Sequence, residues 1–149
     1  MVRDRKKKIE RVLLASDHAG FKLKDKIKRF LIKKGNTVLD LGTKNTNSVD
    51  YPDYAHLLSK KMKNNKSQFG ILICGSGIGM DMAANKHKNI RAALCYNTKS
   101  TKLSRQHNNA NVMTIGARLT KRKVALKCVN TFLRTNFMGG RHLRRVKKI

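Results

Sequence analysis

The sequence predicts an α/β fold built on a parallel sheet of about five strands, and three observations carry that prediction. Short apolar runs of strand length alternate with segments of helical spacing from end to end. One of those runs, Phe69 to Cys74, leads straight into a glycine-rich turn, Gly75-Ser-Gly-Ile-Gly79. The single proline, Pro52, lies in the Asp50-Tyr-Pro-Asp-Tyr54 turn, outside every strand-like run.

Taken in order, Arg11 to Ser16 reads as a buried strand. Leu23, Ile27, Phe30 and Leu31 recur at helical spacing, and Gly35 stops that helix. Thr37 to Leu41 is a second strand ending at Gly42, and Asp50-Tyr-Pro-Asp-Tyr54 is a turn. Leu57, Leu58 and Met62 mark a helix, followed by a polar break from Asn64 to Gln68. After the strand at Phe69 to Cys74, a helix opens over Met80 to Lys86. Ile90 to Cys95 and Asn111 to Ile115 are further strands, separated by a segment from Thr98 to His107. Val124, Ala125, Cys128, Val129 and Phe132 form the last clear helix, and the chain ends in a basic tail from Gly139. Alternation of this kind implies a parallel sheet covered on both faces, with ligands beyond the carboxyl ends of the strands. That rule selects Asp17 and His18, the loop after Leu41, Cys74 to Gly79 and the turn after Ile115.

Composition narrows the class. A chain of 149 residues with 40% hydrophobic content fits one domain with a real core, residues 10–149, preceded by a basic extension, residues 1–9. Lys and Arg number 35 against eight acids, a net charge of +27. The lysines are spread through nearly every segment, aromatic residues are only 5%, and no RNA-recognition consensus or zinc-finger spacing occurs, so the charge names no specific nucleic-acid site. It serves as background that draws in an anionic substrate. Three cysteines at wide spacing argue against a disulfide framework, and no His or acid spacing resembles a metal site. Cys128 belongs to an apolar helical face, while Cys95 fits either a core or a functional position. The apolar run Val12 to Ala15 is too short for a signal-peptide core and no stretch has membrane length, so a soluble, cytoplasmic protein with no membrane partner is expected.

The glycine loop carries the chemistry. Glycines at this density let backbone N–H groups turn inward toward a ligand, and the helix that follows adds its own free N–H groups and dipole. A Walker loop needs Lys then Ser or Thr after its last glycine, and here Met80 and Asp81 follow Gly79. The spacing is G-x-G-x-G rather than the dinucleotide pattern. A cysteine phosphatase loop would close on an arginine where this chain has Met80, and no Cys-x-x-Cys pair exists. What remains is a thiol, Cys74, at the end of a strand beside a cup of N–H groups that favours its thiolate, with no cofactor signature. That arrangement suits proton abstraction next to a carbonyl, the N–H groups stabilising the enediolate oxygens. Arg141 and Arg145, four apart, suit a phosphate, with His18 or Arg118 as further donors. Taken singly, those arginines read as a solvated tail and His107 as a surface or capping histidine. His56 and His87 fall on helical stretches that look exposed and receive no role.

In combination, Ser16-Asp-His-Ala-Gly20, Asp50-Tyr-Pro-Asp-Tyr-Ala55, Gly70-Ile-Leu-Ile-Cys-Gly-Ser-Gly-Ile-Gly79, Ala83-Ala-Asn-Lys86, Ser104-Arg-Gln-His-Asn108 and Gly140-Arg-His142 with Arg145 resemble the type B ribose-5-phosphate isomerases. The wider superfamily includes the subunits of galactose-6-phosphate isomerase. The resemblance runs over about residues 10–149. It implies a Rossmann-like three-layer α/β/α sandwich and an aldose–ketose isomerase without metal or cofactor. It also implies a homodimer with active sites at the subunit interface, dimer against tetramer being left open. By the same resemblance Cys74 is the proton-transfer base, Ser76 its hydroxyl neighbour, and Gly75, Ser76, Gly77, Ile78 and Gly79 the enediolate cup. His107 with Asp17 resembles the pair that opens the furanose ring, and Asn108 would hold sugar hydroxyls or the enediolate. His18, Arg118, Arg141 and Arg145 would serve the phosphate, part of the set coming from the partner, and Tyr51 would line the pocket. Relatives without the cysteine use a glutamate after the last loop glycine. That place is Met80 here, so the cysteine variant applies.

Interconversion of D-ribose 5-phosphate and D-ribulose 5-phosphate is therefore the leading expectation. The alternatives are a hexose-6-phosphate isomerase, acting on galactose or allose 6-phosphate, and a nucleic-acid-binding module using the basic surface. In the galactose enzyme the catalytic residues are divided between unlike subunits, whereas Cys74, His107 and both C-terminal arginines share this one chain, which favours the pentose.

Overall fold

The computed structural model describes residues 11–62 and 68–149. The basic extension at residues 1–9 and all of the expected polar break except Gln68 lie outside the described residues. Five strands form one sheet: β1 (Arg11–Ser16), β2 (Thr37–Asp40), β3 (Gln68–Cys74), β4 (Ala92–Leu94) and β5 (Val112–Gly116). Their order across the sheet is β2-β1-β3-β5-β4, and every pair is parallel. The helices are α1 (Phe21–Lys33), α2 (Tyr51–Lys61), α3 (Ile78–Ala84), α4 (Thr98–Asn108), α5 (Arg122–Arg134) and α6 (Arg141–Val146).

The layers follow from side-chain alternation along the strands. Val12, Leu14, Phe69, Ile71, Ile73, Met113 and Ile115 point to one face and pack with Leu23, Ile27 and Leu31 of α1 and Ala125, Cys128, Val129 and Phe132 of α5. Leu13, Ala15, Leu72, Cys74 and Val112 point to the other and pack with Ala55 and Leu58 of α2 and Met80 and Ala84 of α3. All seven residues of β3 are buried, as a central strand covered on both sides must be. A fully buried side chain such as Phe132 contributes roughly 1.5–3 kcal/mol. This is the three-layer α/β/α architecture that the alternation predicts.

Three expectations need correction. Asp50 to Tyr54 is not a free turn. Tyr51 already belongs to α2 and Pro52 sits in its first turn, where a missing N–H costs nothing. The C-terminal basic segment is not a solvated tail throughout, because Arg141–Val146 is helical. The loop helix begins at Ile78 rather than Met80 and ends at Ala84. Strand ends differ by a residue or two, the widest gap being β4, expected over Ile90 to Cys95 and found at Ala92–Leu94. Cys95 and Cys128 are both buried, and burial pushes the Cys95 thiol up to about 11, so Cys95 is a core residue.

With all strands parallel, each helix returns antiparallel to them. The start of α4 therefore lies at the carboxyl edge of the sheet and its end at the amino edge. The backbone after α4 agrees: Asn111 N–H donates to Arg91 O just before β4 (3.0 Å), and Gly70 N–H near the start of β3 donates to Asn111 O (2.9 Å).

Candidate active site

At the carboxyl edge, the turns after β1, β3 and β5 converge. Gly20 makes this possible. A Cβ there would lie 2.4 Å from Ile73 O, so only glycine lets the β1–α1 turn come against the end of β3. Asp17 is buried, its N–H donates to Ile73 O (3.2 Å), and its Oδ1 accepts from Gly20 N–H (3.0 Å). His18 accepts from the Val49 N–H at Nδ1 (3.2 Å), which leaves Nε2 as the nitrogen not used in that bond. The loop bearing Val49 is tied to α1 by Lys24, a buried lysine whose Nζ reaches Asp40 Oδ1 (2.5 Å) and Thr43 O (2.7 Å). Burial alone would raise the Asp40 carboxyl. Lys24, the Gly42 N–H and Lys28 outweigh it and hold the group below its ordinary value.

Cys74 ends β3 at 4% exposure, and the Gly77 N–H donates to its Sγ (3.2 Å). Ser76 Oγ accepts from the Ile78 N–H (3.2 Å). Gly77 has φ +80, and a Cβ on it would lie 2.8 Å from Ile115 C and 2.9 Å from Gly116 N. Both the dihedral and the space therefore require glycine. Among the described residues, none supplies an acceptor for the N–H groups of Gly75, Ser76 or Gly79, which leaves the cup open to an anionic oxygen. Tyr51 covers Gly79, its ring Cε2 lying 2.5 Å from where a Cβ would stand. Arg118 follows β5, its N–H donates to Gly75 O (2.9 Å), and its Nη1 is 3.1 Å from a Cβ position on Gly75. Met80 is fully buried in the core between α3 and the sheet, in the same cluster as Cys74.

The remaining expected residues lie elsewhere. His107 and Asn108 close α4, and α4 is 11 residues, about 16 Å at 1.5 Å per residue, so they stand at the amino edge. α6 packs there as well: the Met138 N–H donates to Gln106 O (3.1 Å), and the ring of His142 stacks on that of His107. Arg141 and Arg145 are exposed on the same short helix. Within one chain the fold thus brings together Asp17, His18, Tyr51, Cys74 to Gly79 and Arg118 at one edge, and His107, Asn108, Arg141 and Arg145 at the other. It does not bring Asp17 to His107.

Sequence reasoning missed three features. Val49 acts through its backbone N–H and so leaves no side-chain signal. His142 lies inside a motif that the sequence displays, but a single histidine gives no sign of a stacking partner. His56 and His87 are not idle surface groups, since Nδ1 of one and Nε2 of the other are 2.7 Å apart across α2 and the end of α3.

Comparison with known proteins agrees with this fold. The model of the ribose/galactose isomerase family matches residues 12–149. Ribose-5-phosphate isomerase B of Escherichia coli is 39% identical over 141 residues, covering 95% of each chain. Among solved structures, the Thermotoga maritima ribose 5-phosphate isomerase superposes with a TM-score of 0.90 at 48% identity, over 93% of this chain and 96% of that one. The Mycoplasma genitalium ribose-5-phosphate isomerase B, solved with bound ribulose-5-phosphate, also gives 0.90, at 45% identity over 93% and 92% of the two chains. The matched span includes the glycine loop, α4 and α6 with every site residue named above, and the chain belongs to the ribose/galactose isomerase family.

Proposed function

We propose that this protein interconverts D-ribose 5-phosphate and D-ribulose 5-phosphate through an enediolate, as an isomerase of the type B class. The observation that carries the reading is Cys74, held by the Gly77 N–H beside the N–H groups of Gly75, Ser76 and Gly79, which have no acceptor among the described residues. Its thiolate takes the proton from C2 of the open-chain aldose and returns it at C1, while the N–H groups of Gly75, Ser76 and Gly79 hold the oxygen that gains charge. Ser76 Oγ stands beside the reacting carbons. The relative solved with ribulose-5-phosphate supports a phosphorylated pentose as substrate.

The second half of the site comes from a second copy. Asp17 and His107 form the ring-opening pair and Asn108 holds a sugar hydroxyl, which requires the amino-edge cluster of one subunit to face the carboxyl-edge cup of another. The separation of the two clusters along α4 favours this homodimer over a self-contained monomer. His18 and Arg118 from one subunit with Arg141 and Arg145 from the other bind the phosphate, and Tyr51 closes the pocket over Gly79. Residues 10–149 act as the isomerase domain, with residues 1–9 as an added basic extension. Among the described residues no helix is long and apolar enough to cross a membrane, and the protein works in the cytoplasm.

The test is an isomerase assay on pure protein with ribose 5-phosphate, galactose 6-phosphate and allose 6-phosphate side by side. Ribose 5-phosphate should give the highest kcat/KM. Preference for either hexose would reassign the substrate, and no turnover on any of them, with salt-sensitive nucleic-acid binding instead, would overturn the reading.

A further inference from the structure

His107 on α4 and His142 on α6 lie face to face, their ring centroids 4.2 Å apart and their planes inclined by 11°. His142 is 6% exposed on a helix whose neighbouring residues are exposed. The backbone sets the stack: Gly139 and Gly140 turn the chain with φ +64 and +54, and the Met138 N–H anchors the turn to Gln106 O, next to His107 (3.1 Å). Among the described residues, neither ring nitrogen of His107 has a hydrogen-bond partner, so the facing ring is what fixes its plane.

Resting on the ring-opening role of His107, we propose that His142 is a positioning residue that holds the His107 ring by a flat, uncharged face and leaves both of its nitrogens free for the sugar. In ring opening the bond between C1 and the ring oxygen breaks, and that oxygen takes a proton from the His107 imidazolium. The anomeric hydroxyl gives its proton to Asp17 of the partner subunit, and a carbonyl forms at C1. His107 must therefore carry a positive charge in part of the cycle, and two stacked imidazolium rings would repel each other. A neutral ring face instead attracts a cation. The charged or titratable groups facing His142 are His107 from α4 and Arg141 and Arg145 from its own helix. Burial first, then these three, lower the His142 pKa from its ordinary value and so disfavour a charge on this ring. The stacked ring fixes the imidazole plane without occupying either nitrogen, so the one that donates to the ring oxygen stays available.

The experiment compares His142→Ala, His142→Leu and His142→Phe with His107→Asn on two readouts. One is conversion of ribose 5-phosphate, which passes through ring opening. The other is exchange of the C1 hydrogen of ribulose 5-phosphate with D2O, which does not, because esterification at O5 keeps this ketose open. His142→Ala and His142→Leu should slow conversion about 10-fold or more, the scale of a misplaced catalytic group, while leaving C1 exchange nearly intact. His142→Phe, which restores a flat neutral ring, should recover most of the loss. Equal loss on both readouts, full conversion by the Leu variant, or a Phe variant no better than Leu would overturn the proposal. Full conversion by His107→Asn would instead remove the ring-opening reading on which it stands.

Discussion

The Gly77 N–H donates to the Cys74 sulfur across 3.2 Å, so the glycine loop itself seats the thiol at the end of β3. Any other residue at Gly77 would meet the backbone of Ile115 and Gly116 and adopt a strained dihedral. The loop's conformation and the proposed base are thus one device. Replacement of Cys74 by Ala removes the proposed base and leaves the cup. Turnover should fall by about 10²–10⁴-fold, with the thermal midpoint nearly unchanged and product inhibition retained. Calorimetry and initial rates on the same preparation check this. Near-normal turnover in a folded variant would place the base elsewhere.

Arg141 and Arg145 stand one helical turn apart on α6, both exposed. On a chain carrying 35 basic residues, two ordinary surface charges would contribute only long-range attraction, screened beyond about 8–10 Å at physiological salt. A guanidinium that grips a phosphate through two N–H groups acts differently, because lysine lacks the planar fork. Arg141→Lys and Arg145→Lys should each raise KM for ribose 5-phosphate and weaken inhibition by free phosphate, at low and high salt alike. Lysine variants that match wild type at every salt concentration would return both residues to the solvated surface.

The His56–His87 pair gives a pH dependence unconnected with the chemistry. Burial, then His56 and Lys60, lower the His87 pKa from its ordinary value. The folded protein therefore binds this proton more weakly than the unfolded chain does. The stability that the pair contributes is full above a pH of about 6.5 and is lost as pH falls through the lowered folded value. Melting temperatures measured between about pH 7.5 and 5.5 should drop more steeply for wild type than for His87→Gln. Parallel curves would show that the pair does not contribute.

Much of this was readable in the sequence, and the failures have physical causes. β1 is found at Arg11–Ser16 as its continuous apolar run predicts, because a strand buried on both faces leaves no other pattern. The glycine loop was legible because free backbone donors and a positive φ at Gly77 demand glycine. α6 was not, since Arg141–Val146 is one short turn-and-a-half of helix in a run of basic residues with little apolar periodicity. The resemblance implies a site shared between subunits, but the residues alone do not show that His107 lies away from the cup within one chain. Ligand placement at the carboxyl edge is a rule about one sheet, and His107 escapes it by closing a helix that has already returned to the amino edge. Motif order along the chain says nothing about that distance.

The claim that two copies complete each site is tested most directly by mixing two dead proteins. Cys74→Ala and His107→Asn are unfolded together, refolded together and assayed on ribose 5-phosphate. If each site takes Cys74 from one subunit and His107 from the other, half the dimers are mixed and each mixed dimer holds one intact site. The mixture should then recover about a quarter of wild-type activity, given a symmetric dimer that assembles at random. If Cys74 and His107 of the same chain served one site, no site in any dimer would hold both in working form. Activity no higher than that of the two parents would contradict the shared site.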